Sequence, residues 1–179
     1  MGVCHRTATM DHFEHILKWK LKAGSHPFPG KDGGTCINEA AVVATGFEYQ
    51  RVSRVEEMPE CFSRPICKLA MRLNDYAATD AERQRLLPYV TRLACADTPE
   101  VEAKRAAFIK SQDPTAWPFD RGLNVTAYPF DHGLKVLECA LAMGRQADTL
   151  GIDTVKTRME EAQSRSSRLA SLADSPIWV

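Results

Sequence analysis

The sequence predicts an all-α protein, a compact bundle of about seven helices. Apolar residues recur every three or four positions almost throughout the chain, which is the period of one helix face. Capping residues and prolines precede several of these periodic segments, as they do at helix starts. Residues 47–58 instead alternate like a strand and predict an extended connector, or one short strand pair. At 179 residues the chain can bury its own core, so we expect a single helical domain over 1–179, or one domain with a helical extension over 150–179.

The first two predicted helices flank a stretch rich in glycine and proline. Thr9 is a suitable N-cap for a helix that runs to about Ala23 and stops at Gly24. The second helix is expected from about Thr35 to Thr45, with a glycine just beyond its end. The inner face of this second helix is made mostly of small residues and predicts close packing against another helix; it comprises Ile37, Ala40, Ala41 and Ala44.

The next two helices are predicted from prolines and a capping box. A third helix follows Pro59, with Pro65 within its first turn. Residues 79–82, Thr-Asp-Ala-Glu, have the form of a capping box and open a fourth helix that extends through Leu93. Pro88 lies inside this segment and should kink or divide it, because proline cannot donate the helical hydrogen bond.

Three further helices complete the predicted bundle. Thr98, followed by a proline at the first helical position, opens a helix to about Lys110. Residues 111–131 contain three prolines and a glycine and form the longest predicted loop. Asp131 can cap the sixth helix, and a seventh covers about residues 152–172.

Charge and composition exclude several classes of function. The chain carries 23 basic and 23 acidic residues, and this balance argues against a dedicated nucleic-acid binder. Its apolar runs fall short of the roughly 18 residues of a membrane span. The first residues lack the apolar core of a signal peptide, so we expect a cytoplasmic protein.

The six cysteines are expected to be free thiols in a reducing compartment. Their spacing does not match the C-x-x-C pattern of a zinc ribbon or a redox motif. His12 and His15 lie three apart on the first predicted helix, where a solvated polar face explains them better than a metal site. We therefore expect neither a metal nor a cofactor. The cysteines are Cys4, Cys36, Cys61, Cys67, Cys95 and Cys139.

Residues 24–39 are the most informative stretch of the chain, since they hold four of its ten glycines and two of its ten prolines. Gly33 and Gly34 permit backbone dihedrals that let several N–H groups converge on one point. The helix start beyond them adds a partial positive charge. Together these features predict a site for a phosphate, a carboxylate or a partner protein. A tight connection between two packed helices, with Thr35 as the N-cap, explains the same pattern without a ligand.

The predicted site draws on the loop, on the first turn of the second helix and on one arginine. Glu39 in that first turn either contacts the ligand or complements the helix dipole. Arg64 can hold a carboxylate or phosphate, or can pair with Glu56 or Glu57. The full set of predicted ligand-binding residues is His26, Asp32, Gly33, Gly34, Thr35, Cys36, Asn38, Glu39 and Arg64.

Cys36 gives the site an alternative, catalytic interpretation. A thiol in the first turn of a helix has a lowered pKa, which favours the nucleophilic thiolate. A nucleophile also needs a base, and His26 and His132 are the two candidates. A small, buried apolar side chain is the competing explanation for Cys36. The alternative function is a cysteine-dependent hydrolase or transferase.

Several motifs resemble those of a group of short bacterial proteins. The first is residues 24–41, GSHPFPGKDGGTCINEAA, and it is followed by CFSRP at 61–65 and LND at 73–75. Residues 98–109, TPEVEAKRAAFI, are also similar to that group. The resemblance covers roughly residues 22–110, implies a prokaryotic or phage origin and brings no activity with it.

The sequence therefore predicts a non-enzymatic binding protein. Its site is the 24–39 loop with Arg64 nearby, and its ligand is a partner protein or a small anionic molecule. The motivating feature is a set of converging N–H donors without an evident catalytic base beside them. A structural helical subunit is a third possibility, and the oligomeric state stays open.

Overall fold

The computed structural model describes residues 19–27, 34–112 and 130–173. Over these ranges the chain forms six α-helices, two short 3-10 helices and no β-sheet. The all-α prediction is confirmed, and the number of helices is close to the predicted seven. The α-helices are α1 (Ile37–Ala44), α2 (Arg64–Tyr76), α3 (Asp80–Gln84), α4 (Pro99–Ser111), α5 (Phe130–Leu141) and α6 (Ile152–Ala173); the 3-10 helices are Val55–Glu57 and Leu87–Arg92.

Helix α1 lies at the centre of the fold. All eight of its residues are buried, and it packs against α2, α6 and the 3-10 helix Leu87–Arg92. A helix that is apolar on every side must be enclosed on every side, and α1 consists of alanine, valine and isoleucine apart from Asn38 and Glu39. Helix α2 also contacts α4 and α5, which form the other side of the core.

The end of the predicted first helix is not helical in the structure, and the expectation that it runs to Ala23 is wrong for residues 19–23. Leu21 is fully buried and pairs with Thr35 in an isolated parallel bridge. The Lys22 amide donates to the Thr35 carbonyl at 2.8 Å, and the Thr35 amide donates to the Lys20 carbonyl at 3.1 Å. These backbone groups bond to a distant segment, so they cannot also form a helical ladder. The predicted start at Thr9 lies outside the described residues.

Most of the other predicted boundaries agree with the structure to within a few residues. The fourth predicted helix is divided as expected into α3 and the 3-10 helix that contains Pro88. The hydroxyl of Thr79 accepts from the Glu82 amide at 3.1 Å, which is one half of the predicted capping box. The Glu82 carboxylate accepts from the Ala78 amide at 2.9 Å instead of from that of Thr79. Residues 47–58 form an extended connector with one 3-10 turn, and no strand is assigned within this segment.

Two buried or half-buried arginines fasten the helices. The side chain of Arg105 on α4 is fully buried and donates to the carbonyls of Cys95, Met143 and Arg145, at 2.5 to 3.1 Å. Arg158 on α6 donates from Nη1 to the carbonyl of Ala44 at 2.6 Å, which satisfies a free acceptor at the end of α1. The two contacts fix α4 and α6 relative to the loops and helix that they meet.

No helix in the described part of the chain is both long enough and apolar enough to cross a membrane.

Candidate functional site

A buried carboxylate organises the start of α1. Glu39 is fully buried, and five donors surround its two carboxylate oxygens. Three of the donors are backbone amides, those of His26 at 2.7 Å, Cys36 at 2.9 Å and Val52 at 3.2 Å. The other two are hydroxyls, those of Thr35 at 3.1 Å and Tyr49 at 3.0 Å. One side chain thus joins three segments of the chain, 24–27, 34–36 and 49–52.

Cys36 completes a reciprocal cap with Glu39. It is the N-cap residue of α1, and its sulfur accepts from the Glu39 amide at 3.4 Å while its own amide donates to the Glu39 carboxylate. The predicted N-cap, Thr35, lies one residue earlier. Since the Glu39 carboxylate already occupies this helix start, the positive end of the helix dipole acts on an anion that belongs to the protein itself.

The environment of the Cys36 thiol opposes a nucleophilic role. The residue is 1% exposed, and burial followed by the charge of Glu39 raises its pKa well above the ordinary value. A thiol with a raised pKa is protonated at neutral pH and is a poor nucleophile. The sulfur accepts a hydrogen bond from the Glu39 backbone amide at 3.4 Å. The helix-start effect expected from the sequence is therefore outweighed by desolvation.

The two candidate bases lie in different surroundings. The backbone amide of His26 donates to Glu39, and its Nε2 atom is buried without a hydrogen-bond partner in the described part of the chain. His132 lies on α5, where its Nε2 is 3.3 Å from the carbonyl oxygen of Gln112. His26 is the histidine that the Glu39 network holds near the start of α1, whereas His132 contacts the end of α4.

Residues 24–27 run along the surface and are braced from several sides. The Gly24 amide donates to Asp75 on α2 at 2.8 Å, and this glycine has a φ of +78°, which few other residues adopt without strain. The hydroxyl of Ser25 lies 3.2 Å from that of Ser53 and accepts from Arg51 Nε at 3.0 Å. These hydrogen bonds connect the segment to α2 and to residues 51–53, while Pro27 stays exposed.

The other predicted site residues have supporting positions. Asn38 is fully buried and donates to the carbonyl of Cys67 at 3.2 Å, which ties α1 to α2. Arg64 donates to the carbonyls of Met58 and Pro59 at 2.6 and 3.1 Å rather than to Glu56 or Glu57. Gly34 and Thr35 are buried. Asp32 and Gly33 lie outside the described residues.

These positions correct the predicted roles of several residues. The side chains of Thr35, Cys36, Asn38 and Glu39 are each at most 1% exposed, so a molecule bound at the surface does not reach them. These buried side chains lie beneath residues 24–27. The exposed positions around it belong to Pro27 and to the neighbouring connector, where Arg51 is the prominent charge.

Two grooves were not anticipated from the sequence. One, of about 370 Å³, lies between α2 and α4 and is lined by three basic side chains over an apolar floor: Lys68, Arg72 and Lys110 above Pro65, Leu69, Ala106 and Ile109. The signal in the sequence was the spacing of Lys68 and Arg72, which places them on one face of a helix. Lys110 joins them through tertiary packing, which no local pattern reveals.

The second groove, of about 530 Å³, lies between α6 and residues 43–49. Phe47 and Leu169 line it and are 45% and 50% exposed. The second half of α6 extends beyond the residues that bury Val155 and Met159 in its first half.

In the part of the chain that the structure describes, no three His, Cys, Asp or Glu residues are grouped so that they could hold a metal ion. Comparison with protein-family models, with curated proteins and with solved structures finds no match to the chain. The resemblance to short bacterial proteins therefore stays a prediction.

Proposed function

We propose that this chain is a non-enzymatic interaction protein that binds a partner protein through the braced surface around residues 24–27. The supporting observation is the Glu39 network, which holds that segment and Arg51 on a fixed scaffold. A contact surface that is rigid before binding loses less conformational entropy when it binds. The raised pKa and burial of Cys36 make the alternative, a cysteine-dependent hydrolase or transferase, the weaker proposal.

The composition of the proposed contact surface follows from exposure. Pro27 and Arg51 belong to it as exposed residues, and Gly24 and Ser25 shape it. Asp32 and Gly33 belong to it on the sequence alone. Arg64 is left out, because two backbone carbonyls hold its guanidinium. The resemblance in sequence and the free thiols support a bacterial or phage protein that acts in the cytoplasm.

Affinity purification with charge-reversal variants tests the proposed surface. The immobilised chain is incubated with a bacterial lysate as wild type, as Arg51→Glu and as Lys156→Glu. Both substitutions reverse one exposed positive charge, but Lys156 lies on α6 and is not one of the residues of the proposed surface. We expect a retained protein that binds wild type and Lys156→Glu and whose affinity, measured with purified components, falls at least about tenfold with Arg51→Glu. Equal affinity for all three forms, or no retained protein, would contradict the proposal.

The anionic ligand that the sequence predicted has better support in the groove between α2 and α4. The start of α1 already holds the Glu39 carboxylate, whereas three basic residues and no acidic residue line the groove. An apolar floor beneath a basic rim suits an amphiphilic anion, which has an apolar body and an acidic head. The volume lies near the lower end of the range for small-molecule sites. We propose binding of such an anion as the second candidate function.

The dye 1-anilinonaphthalene-8-sulfonate is itself an amphiphilic anion and tests the groove directly. We expect the double variant Lys68→Glu/Lys110→Glu to raise the Kd for the dye at least about fivefold, and added salt to raise the wild-type Kd. The control Lys104→Glu/Lys156→Glu makes the same change in net charge at two exposed lysines outside the groove. If both double variants weaken binding equally, the dye responds to net charge alone and the groove is not its site.

A further inference from the structure

The apolar face of α6 changes its surroundings half-way along the helix. Positions 155, 159, 162, 166 and 169 are separated by steps of four and three, so they follow one face of the helix. Val155 and Met159 on this face are buried, and the indole Nε1 of Trp19 donates to the Met159 carbonyl at 3.2 Å. Leu169 on the same face is 50% exposed. The residues that bury the first half of α6 thus end near Ala162, while the apolar face of the helix continues beyond it.

Exposed apolar residues are concentrated around this continuation. Five large apolar side chains in the described part of the chain are exposed, and three of them lie at this end of α6 and its groove: Phe47 at 45%, Leu169 at 50% and Leu172 at 71%. Beside them lies the groove of about 530 Å³. Exposed apolar side chains that are grouped in this way mark an interaction site more often than single scattered residues do.

The charges around the groove indicate what covers it. Two acidic and two basic side chains line it, Glu48 and Glu161 with Arg158 and Arg165. An interface between two identical copies places the same patch on both sides, so such a patch must carry both signs to be complementary to itself. A strongly acidic or strongly basic partner would meet like charges here. The balance therefore favours a second copy of this chain.

The order of charges along α6 suits an antiparallel arrangement. Glu161 precedes Arg168 by two turns, and both are exposed. If two copies of α6 cross antiparallel where Ser164 of one meets Arg165 of the other, each Glu161 faces an Arg168. Leu172 of one copy then lies beside Thr157 of the other, next to that copy's groove. The ion pair between Arg165 and Glu48 in one chain is long, at 3.9 Å, and exposed, so it does not oppose this pairing.

We propose that the second half of α6 and Phe47 form a two-fold interface with a second copy of the chain, in which the two α6 helices run antiparallel and each places its Leu172 beside the other's groove. The interface does not involve residues 24–27, so this proposal is independent of the proposed function. We expect a Kd on the order of 10 µM, between those of transient contacts and obligate dimers.

Sedimentation equilibrium of the full chain under reducing conditions tests the interface, since Cys61 and Cys139 are exposed and must not cross-link. The average mass should rise from 19.9 kDa towards twice that value as the concentration increases from about 1 to 500 µM. The double variant Leu169→Glu/Leu172→Glu should stay monomeric throughout. Ile152→Glu is the matched control, because Ile152 is 41% exposed on the same helix but outside the groove, and it should associate like wild type.

A charge exchange makes the test specific to the antiparallel register. Glu161→Arg and Arg168→Glu should each weaken self-association at least about fivefold, because each places like charges opposite one another. In an equimolar mixture of the two variants, both contacts become attractive again, and association should return to the wild-type level. Circular dichroism of each variant checks that the fold is intact. A wild-type chain that is monomeric at 500 µM, or dimers that Leu169→Glu/Leu172→Glu leaves unchanged, would overturn the proposal.

Discussion

Glu39 and Arg105 are two fully buried charges that the fold handles in the same manner. Glu39 accepts from three backbone amides and two hydroxyls, and Arg105 donates to three backbone carbonyls and to Glu102. In both cases a long side chain from a helix satisfies the polar backbone of loops that have no regular partner. The difference is what each holds. Glu39 fixes an exposed segment, whereas Arg105 fastens the connection after α5 to the base of α4.

The two networks thus differ in location: Glu39 holds a surface segment, and Arg105 holds connections between helices. Arg105 is also paired with an acidic side chain, Glu102, at 2.7 Å. Glu39 receives only dipolar donors among the hydrogen bonds of the described residues. A buried charge that depends on converging backbone amides keeps its environment only while all three segments stay in place. The Glu39 network should therefore respond to changes at the surface, and the Arg105 network should not.

The largest expected effect is that of Arg105→Met. The substitution keeps much of the side-chain volume. It removes the donor to the carbonyls of Cys95, Met143 and Arg145, and it removes the cation that pairs with Glu102. We expect a loss of about 3–5 kcal/mol in the free energy of unfolding, measured by urea denaturation. Arg145→Met removes an exposed arginine and should have little effect. A loss below about 1 kcal/mol for Arg105→Met would show that water replaces the guanidinium.

Glu39→Gln should have the second-largest effect. The amide is nearly isosteric, but its NH₂ group must face amide and hydroxyl donors, so part of the network is left unpaired. We expect a loss of about 2–3 kcal/mol in the free energy of unfolding, again measured by urea denaturation. Glu48→Gln, at a side chain that is 92% exposed, is the control and should be neutral. If Glu39→Gln is neutral as well, the carboxylate does not organise the three segments.

Thiol labelling tests whether the Glu39 and Arg105 networks open independently of each other. Cys36 bonds to Glu39, and the Cys95 carbonyl accepts from Arg105 at 2.7 Å; both thiols are buried, and burial is the main cause of their raised pKa values. In the native protein, iodoacetamide should modify the exposed Cys61 and Cys139 first. Glu39→Gln should accelerate labelling of Cys36 more than that of Cys95, and Arg105→Lys should do the reverse. Peptide mass spectrometry reads each site.

Equal acceleration of both thiols in both variants would contradict this separation. It would mean that the two networks open together, in one cooperative unfolding event rather than in separate local ones.

The smallest expected effect concerns a half-exposed pair that serves as a reference for the two buried networks. Burial alone would raise the pKa of Glu138, but the two hydrogen bonds from Arg92, at 2.8 and 2.9 Å, outweigh it and lower that pKa. A lowered pKa in the folded state stabilises the protein above the ordinary pKa, and the stabilisation is lost as the pH falls through the folded value. Below about pH 5, wild type should therefore lose stability more steeply than Arg92→Met, by less than about 1 kcal/mol, in thermal unfolding across pH. If stability falls equally steeply with pH in wild type and in Arg92→Met, this pair does not contribute to the pH dependence.

Local sequence signals predicted most helices because capping and proline chemistry act within a few residues. Thr79 with Glu82, Pro88 and Thr98 with Pro99 all stand where the structure begins or divides a helix. The prediction of a helix through Ala23 was wrong because the backbone of Lys20 and Lys22 bonds to Thr35 and that of Leu21 bonds to the Gln84 side chain. Such distant partners leave no periodic trace in the sequence. Helix propensity predicts structure poorly when tertiary contacts compete for the same backbone groups.

The candidate site was also predicted only where it depends on residues close together in the sequence. The spacing of Cys36 and Glu39 marked a helix start, but it did not reveal that this start is sealed by its own carboxylate. Five donors from three segments had to converge before that was visible. Arg105 was missed for the same reason, since an arginine in an amphipathic segment looks like a surface residue until its carbonyl partners are known. The grooves at Lys110 and Phe47 likewise depend on residues that are distant in sequence.

The enclosure of α1 has a consequence for the history of the chain. An eight-residue helix without a solvent-facing side offers natural variation almost no neutral substitution, since even one added methylene strains a close-packed interior. In descendants and relatives, residues 36–44 should drift most slowly, while positions such as Lys104 and Lys156 diverge freely. This short segment is therefore the signature by which distant kin of the protein should be recognised.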